Sequence, residues 1–347
     1  SVSSSLGKIA VSITTDKVNF DAVVSLLGEL MSSPVFPTTE LANAQRAMIS
    51  DLEQQRNDPN ARALASYRRS MNAYPQGHPK SFVELDDKIA EINSITSEQL
   101  TKLYQQHFTI KHGYIGVVGN IDIAQASHKL KEALGQLDKD VEYRYMPANL
   151  HKKQGLEKTT ETPDKANANL YIINRLDIKP SHEDYLALNM ANSIFGADTF
   201  SSRIGKRIRV EEGYSYSVRS GVSVSERDEQ GVFWAMAIAA PENMDNVVRA
   251  YKEEVQKVLD NGFTQKELDQ AIEGFINTRK RSWANDAVIP GLLIDNKELA
   301  RDLTFYDEQV TKLKSVTLTD VNQAFQRYIA AQEVNVFKAG DFAKLAQ

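Results

Sequence analysis

The 347-residue chain carries 41 Lys and Arg against 46 Asp and Glu, a formal charge of -5, and has no cysteine. This acidic balance leaves no cationic surplus for phosphate backbones, which argues against nucleic-acid binding. The missing thiols exclude disulfides, cysteine-ligated zinc and thiol catalysis. No apolar run reaches the length of a membrane span. With 41% hydrophobic and 25% charged residues, the composition is ordinary for a globular protein, and the length favours two domains.

Taken in chain order, Leu6–Thr14 alternates apolar and polar residues and predicts a strand. Val18–Met31 has helical spacing, with Phe20, Val23, Val24, Leu26, Leu27 and Leu30 forming a broad apolar face. Thr38 or Thr39 caps a helix to about Gln55, with Glu40 in its first turn. Asp58-Pro59-Asn60 opens a helix to about Asn72. Tyr74 to Pro79 is a loop by its prolines and glycine. Thr96 caps a helix to about His107, Gly113–Gly119 predicts a buried strand, and Ile121–Leu134 a helix. Residues 136–157 are polar and hold Asp138, Lys139, Asp140, Pro147 and the basic run His151-Lys152-Lys153, which marks a linker. Beyond it come a strand near Asn169–Arg175, a helix near His182–Phe195 and a short helix over Phe200–Val210. Strands near Ser215–Ser223 and Val232–Ala240 follow, then helices near 243–260, 264–281, 285–300 and 318–330. A last strand lies near Glu333–Ala339.

The chain also repeats itself. GKIAVSITTDKVNFDAVVSLLGEL from Gly7 pairs with GVFWAMAIAAPENMDNVVRAYKEEV from Gly231. FPTTELANAQRAMISDLEQQRNDPNA from Phe36 pairs with FTQKELDQAIEGFINTRKRSWANDAV from Phe263. ITSEQLTKLYQQHFTIKHGYIGVVGNID from Ile95 pairs with VTLTDVNQAFQRYIAAQEVNVFKAGDF from Val316. An offset near 220–230 residues is that of a duplicated domain, not of a solenoid. The stretch from about Leu156 to Gln230 belongs to the second copy alone. The expectation is therefore the back part of one domain over 1–137, a linker over 138–157 and a complete related domain over 158–347. Each domain is expected to be α+β, a mostly antiparallel sheet with helices packed on one face, the first truncated at its N-terminus.

Little in the sequence supports metal or nucleophilic chemistry. The histidines are His78, His107, His112, His128, His151 and His182. None lies four residues from another on a predicted helix, and neither H-E-x-x-H nor H-x-x-E-H occurs. There is no G-x-S-x-G and no glycine-rich phosphate loop; Gly116-Val117-Val118-Gly119 only ends a strand pattern. The pairs Glu211-Glu212 and Asp86-Asp87 read as solvated faces. The run from Ser202 to Val218 is different. A basic amphipathic helix there ends at Gly213 and opens onto a strand with Tyr214 and Tyr216. Arg209 and Tyr216 are both donors suited to a peptide carbonyl. The competing reading is that Arg209 pairs with a nearby glutamate and Tyr216 sits in the core.

The stretch DYLALNMANSIFGADTFSSRIGKRIRVEEGYSYSV resembles the C-terminal-type domain of the pitrilysin/insulinase family of zinc metallopeptidases, the inverzincins. Asn192–Gly196, Ser202-Arg203-Ile204, Arg209 and Tyr216 after Gly213 carry the resemblance. Pro241-Glu242-Asn243, Gly262–Leu268 and Ala339-Gly340-Asp341 extend it. Residues 1–135 resemble the back part of another domain of the family through Pro34-Val35-Phe36, Asn57-Asp58-Pro59, His78-Pro79 and Val117–Asp122.

The resemblance implies a clam-shell peptidase in which one domain carries zinc on H-x-x-E-H plus a distant Glu, and the opposite domain supplies an Arg/Tyr pair for the substrate carbonyl. Here Asp51 and Ala44 occupy the places of the distant Glu and an upstream acidic position, and Ala271 and Thr278 the matching places of the second copy. The family reading is thus a non-zinc-binding C-terminal portion, inactive alone, with Arg209 and Tyr216 as substrate-binding residues, no catalytic or metal residue and no cofactor of its own. Its implied partners are a peptide or small protein substrate and a zinc-bearing catalytic half. Alternatives are a separately encoded non-catalytic subunit and a structural or assembly protein on the same fold. The family suggests a bacterial periplasm or cell envelope.

Overall fold

The computed structural model describes residues 1–330 and 333–346. Strands β1 (Val2–Ser5) and β2 (Lys8–Val11) are followed by helices α1 (Phe20–Ser32), α2 (Thr38–Gln55), α3 (Pro59–Met71), α4 (Leu85–Ser94), α5 (Ser97–His107) and α6 (Ile123–Leu134). Next come β3 (Glu157–Glu161), β4 (Ala168–Leu176), α7 (Tyr185–Phe195), a π-helical segment Gly205–Glu211, β5 (Ser217–Val224) and β6 (Gly231–Ala239). The chain closes with α8 (Met244–Asn261), α9 (Gln265–Trp283), α10 (Ile289–Glu298), α11 (Thr304–Ser315), α12 (Leu318–Phe325) and β7 (Asn335–Gly340). Asp58 accepts from the Ala61 amide with Pro59 at the first helical position, and Thr96 with Gln99 forms a reciprocal capping box at α5. Thr317 with Asp320 forms the same box at α12. These two boxes stand at matching places in the repeat.

The chain divides into two compact units. One holds Ser1–Ser50, Val83–Met146 and Arg281–Asp302, and the other Asp51–Phe82, Pro147–Lys280 and Leu303–Gln347. Each unit thus borrows a segment from the other copy of the repeat.

The second unit is built on a five-stranded sheet in the order β3-β7-β4-β6-β5. Its pairs are antiparallel except β3 with β7. This is the mostly antiparallel α+β arrangement the sequence implied. Side chains alternate between faces. Leu170, Ile172, Phe233, Ala235 and Ala237 share one buried core with Leu188 and Phe195 of α7 and Tyr251 of α8. Rings interlock there: Phe195 lies 5.6 Å from Tyr251 and 5.0 Å from Phe325, which lies 5.3 Å from Phe263. The opposite face is covered too. Tyr171, Ile173, Phe337 and Ala339 pack with Ala63, Leu64 and Tyr67 of α3, and the Tyr67 and Phe337 rings are 5.7 Å apart. Helices from both copies therefore sandwich this sheet.

In the first unit β1 and β2 form an antiparallel hairpin that turns at Gly7, where φ is +74°. The single strand predicted over Leu6–Thr14 is thus only its second arm, ending at Val11. Helix α1 crosses α6 at Gly28, where a Cβ would lie 2.7 Å from the Ala133 carbonyl oxygen. The buried strand predicted over Gly113–Gly119 does not form. Tyr114, Ile115 and Val118 are exposed, and Gly116 lies against the backbone of Pro290. A strand needs a neighbour to satisfy its ladder. Its counterpart β7 lies between β3 and β4, and neither of these has a counterpart strand in the first unit.

Candidate functional site

The corner between α7 and β5 is fixed by small residues and short hydrogen bonds. Asn192 accepts from the Ser220 hydroxyl at 2.7 Å. The Ser220 amide donates to the Gly196 carbonyl at 2.6 Å. A Cβ at Gly196 would lie 2.1 Å from Ser220 Oγ, so the end of α7 is seated directly on β5. Asp198 accepts from the Ser201 hydroxyl and from the amides of Ser201 and Phe200. These bonds, the Ser201 hydroxyl's first, hold its carboxyl below the usual range. Gly205 lets the following turn press on the carbonyls of Asp198 and Thr199. Ile204 and Ile208 anchor the π-helical segment in the core.

Arg203 is a tie within the scaffold. Its Nε and Nη2 each donate to Glu267 at 2.8 Å, and Nη2 also donates to the Gly262 carbonyl at 3.0 Å. Its guanidinium lies 4.9 Å from the centre of the Phe263 ring. Glu267 caps α9 reciprocally with Thr264, and Gly262 ends α8 at a φ of +68°. The run Gly262–Leu268 therefore stops one helix, starts the next and pins the Arg203 turn to both.

Burial alone would raise the Glu267 pKa, but the hydrogen bonds from Arg203 and Thr264 outweigh it and hold the pKa down from 4.5 to about 2. A carboxylate with a depressed pKa contributes stability that is whole above its unfolded value and is lost as pH falls. Glu267→Gln should therefore cost about 1.5–3 kcal/mol near neutral pH. That deficit should shrink as pH falls from 4.5 toward about 2. Urea unfolding of both proteins across this range checks it; a deficit that does not change with pH would contradict the pairing.

Arg209 and Tyr216 differ from this scaffold. Arg207 pairs with Glu212 and, at 2.9 Å, with Glu253. Arg209 donates from Nη1 to the Ser215 carbonyl at 3.0 Å and pairs with no carboxylate among the described residues. Tyr216 is 60% exposed, and its hydroxyl has no hydrogen-bond partner among the described residues. Its amide donates to the Ile238 carbonyl at 2.8 Å, which anchors the backbone and leaves the ring outside. Tyr214, the other tyrosine of the run, packs against the core. Gly213 makes the turn with a φ of +65°. Regular β5 begins only at Ser217, so strand parity does not relate Tyr214 to Tyr216.

Histidines serve as turn fasteners. His78 Nδ1 accepts from the Lys80 amide and the ring stacks on Tyr74 at 4.6 Å; His182 Nδ1 accepts from the Asp184 amide. Asp51 is exposed on an open polar cleft of about 700 Å³ that it shares with Asp58 and Lys165. Among the described residues no group of three or more His, Cys, Asp or Glu is placed to hold a metal ion. The donor set does not fit the zinc that the family resemblance implies for a catalytic domain. Sequence reasoning missed the Arg203–Glu267 tie. Half of it is legible as the Thr264-x-x-Glu267 capping signature, but its partner lies 64 residues away.

A family model described as the peptidase M16 inactive domain matches residues 94–275. The probable zinc protease PqqL of Escherichia coli is 22% identical over 280 residues, covering 79% of this chain and 29% of that protein. Its crystal structure, described as that of the periplasmic protease PqqL, aligns with 93% of this chain and 35% of its own at a TM-score of 0.68 and 17% identity. The non-peptidase homolog YmxG of Helicobacter pylori is 25% identical over 256 residues, covering 72% of this chain and 56% of that protein. A peptidase M16 inactive domain from Pseudomonas fluorescens aligns with 92% of this chain and 74% of its own at a TM-score of 0.76 and 21% identity. The chain thus spans from under a third to just over half of these curated relatives.

Proposed function

Because the chain belongs to the peptidase M16 inactive-domain family, we propose that it is the non-zinc-binding portion of a zinc-dependent metallopeptidase, and that it holds the peptide substrate through Arg209 and Tyr216. Residues 1–137 are the back part of one peptidase-like domain, 138–157 the linker and 158–347 a second domain without zinc. The observation that carries this reading is the contrast between Arg207 and Arg209. Arg207 pairs with Glu212 and Glu253, whereas Arg209 pairs with no carboxylate among the described residues and donates to the carbonyl of Ser215, the residue before the exposed Tyr216. Two such donors polarise a peptide carbonyl and hold it in place. The zinc belongs to a partner domain, carried in the same longer chain or in a partner subunit.

The second reading is a separately encoded non-catalytic subunit; a non-peptidase homolog, YmxG, among the relatives supports the non-catalytic part of it. PqqL is described as periplasmic, which supports a bacterial envelope location here. The test is Arg209→Ala in the zinc-bearing assembly. KM for a peptide should rise about tenfold with the loss of a charged hydrogen bond, and zinc content should not change. Unaltered steady-state kinetics would leave the structural or assembly reading instead.

A further inference from the structure

One face of the five-stranded sheet is covered along only part of its width. Residues directly opposite each other on neighbouring strands share a face, so rows can be followed across it. One row runs Phe337, Tyr171, Met236, Arg219, and the next runs Asn335, Ile173, Trp234, Gly221. Helix α3 lies over the β3, β7 and β4 end of these rows. There Tyr171, Ile173 and Phe337 are buried, and the Tyr171 hydroxyl donates to Asn60 Oδ1 at 2.5 Å. Further along the same face, Val232, Trp234, Met236 and Ile238 of β6 are only half-buried, and Arg219 and Ser223 of β5 are exposed. Trp234 is held in place on this shelf. A Cβ at Gly221 would lie 2.5 Å from its Cζ2, so a glycine is what lets the indole settle on β5. Its Nε1 donates to the Ser223 hydroxyl at 3.2 Å. The Arg219 guanidinium lies 5.9 Å from the centre of the ring and pairs with no carboxylate among the described residues. Arg68 of α3 also reaches this face. Burial raises the Tyr171 pKa, and Arg219 and Arg68 both pull it down while Asp58 opposes them.

We infer that this shelf binds an extended peptide segment in which an acidic side chain is followed, two residues on, by a large apolar one. The apolar side chain lies on Trp234 and Met236, and the carboxylate meets Arg219. In an extended chain residues i and i+2 point to one face, which is also the spacing of Arg219 and the Gly221 that carries the indole. Charge selects the occupant. A guanidinium without a carboxylate, in a chain of net charge -5, attracts an acidic segment and repels a basic one. Tryptophan and arginine are also the side chains on which binding energy concentrates, because they offer large apolar area beside a fixed polar fork. This deepens the reading of the chain as a peptide holder and rests on it. Tyr216, proposed to grip a carbonyl, donates its amide to Ile238, so the shelf begins at that residue.

The probe is a short blocked peptide in which glutamate and leucine alternate, titrated into the 347-residue chain by calorimetry. The same peptide with lysine for glutamate is the control. The glutamate peptide should bind about tenfold more tightly than the lysine peptide, and Arg219→Glu, at an exposed position, should reverse that preference. Trp234→Ala should weaken binding about thirtyfold. Trp283→Phe leaves Trp234 as the sole tryptophan, and its emission should shift when the glutamate peptide is added. Equal affinity for the two peptides, a preference that survives Arg219→Glu, or an unshifted Trp234 emission would each overturn the proposal. So would an emission shift that grows with protein concentration alone, since a second copy would then occupy the shelf. Failure of the peptide-holding reading shows as binding of neither peptide. Failure of the shelf alone shows as binding that Arg209→Ala weakens and Arg219→Glu leaves unchanged.

Discussion

Phe195→Ala is expected to lower the unfolding free energy of the sheet-bearing unit by about 3–5 kcal/mol. The side chain is fully buried at the C-terminal end of α7. It touches Tyr251 and Phe325 edge-on, at 5.6 and 5.0 Å, so its loss removes buried area and two ring contacts together. Neighbouring atoms cannot fill the space, because Gly196 next to it is held against Ser220 and Ile204 and Ile208 are anchored. Urea unfolding followed by circular dichroism measures the loss. A change below about 1 kcal/mol would show that the layer between sheet and helices can collapse around the vacancy.

Tyr216→Phe is expected to act on turnover and not on stability. Its ring is largely in solvent and its hydroxyl bonds nothing among the described residues, so folding does not depend on that oxygen. If Tyr216 donates to the substrate carbonyl as proposed, its loss in a zinc-bearing assembly should lower kcat by about 10²–10³. The urea midpoint and the metal content should stay where they were. Steady-state kinetics alongside an unfolding curve separate the two effects, and wild-type kcat in this variant would remove Tyr216 from the site. Tyr214→Phe is the control, since Tyr214 packs on the core.

Local chemistry made most helices legible. Asp58-Pro59 and Thr96 mark helix starts that the structure reproduces with the caps in place. Helix α4 was missed because its apolar residues are sparse and its ends lack a strong stop signal; α11 was missed for the same reason. Strand β3 reads Glu-Lys-Thr-Thr-Glu and is almost wholly exposed, so it has no alternation to detect. It exists because it pairs with β7, 179 residues along from Glu157 to Val336. Gly113–Gly119 is the reverse case, a good strand pattern without a neighbour. Arg209 and Tyr216 were singled out by residue type and spacing, and their role as a site is the proposal made above. What could not be read was which of Arg207 and Arg209 the glutamates would take. The answer depends on Glu253 of α8, which comes to Arg207 from 46 residues away.

The exchange of segments between the two units bears on how the protein is made. The sheet unit uses α3 to close a face whose last strand, β7, comes only after every other strand and α-helix of the unit. The smaller unit in turn needs Arg281–Asp302. Neither unit can finish before a segment from the other copy of the repeat has been made. Helix α3 must wait for β4 and then for β7 before Ala63 and Tyr67 are fully covered, in a chain whose pairings are long-range and slow to close. A nascent chain stalled before β7 would leave that face of the sheet unfinished and is a natural client for chaperones.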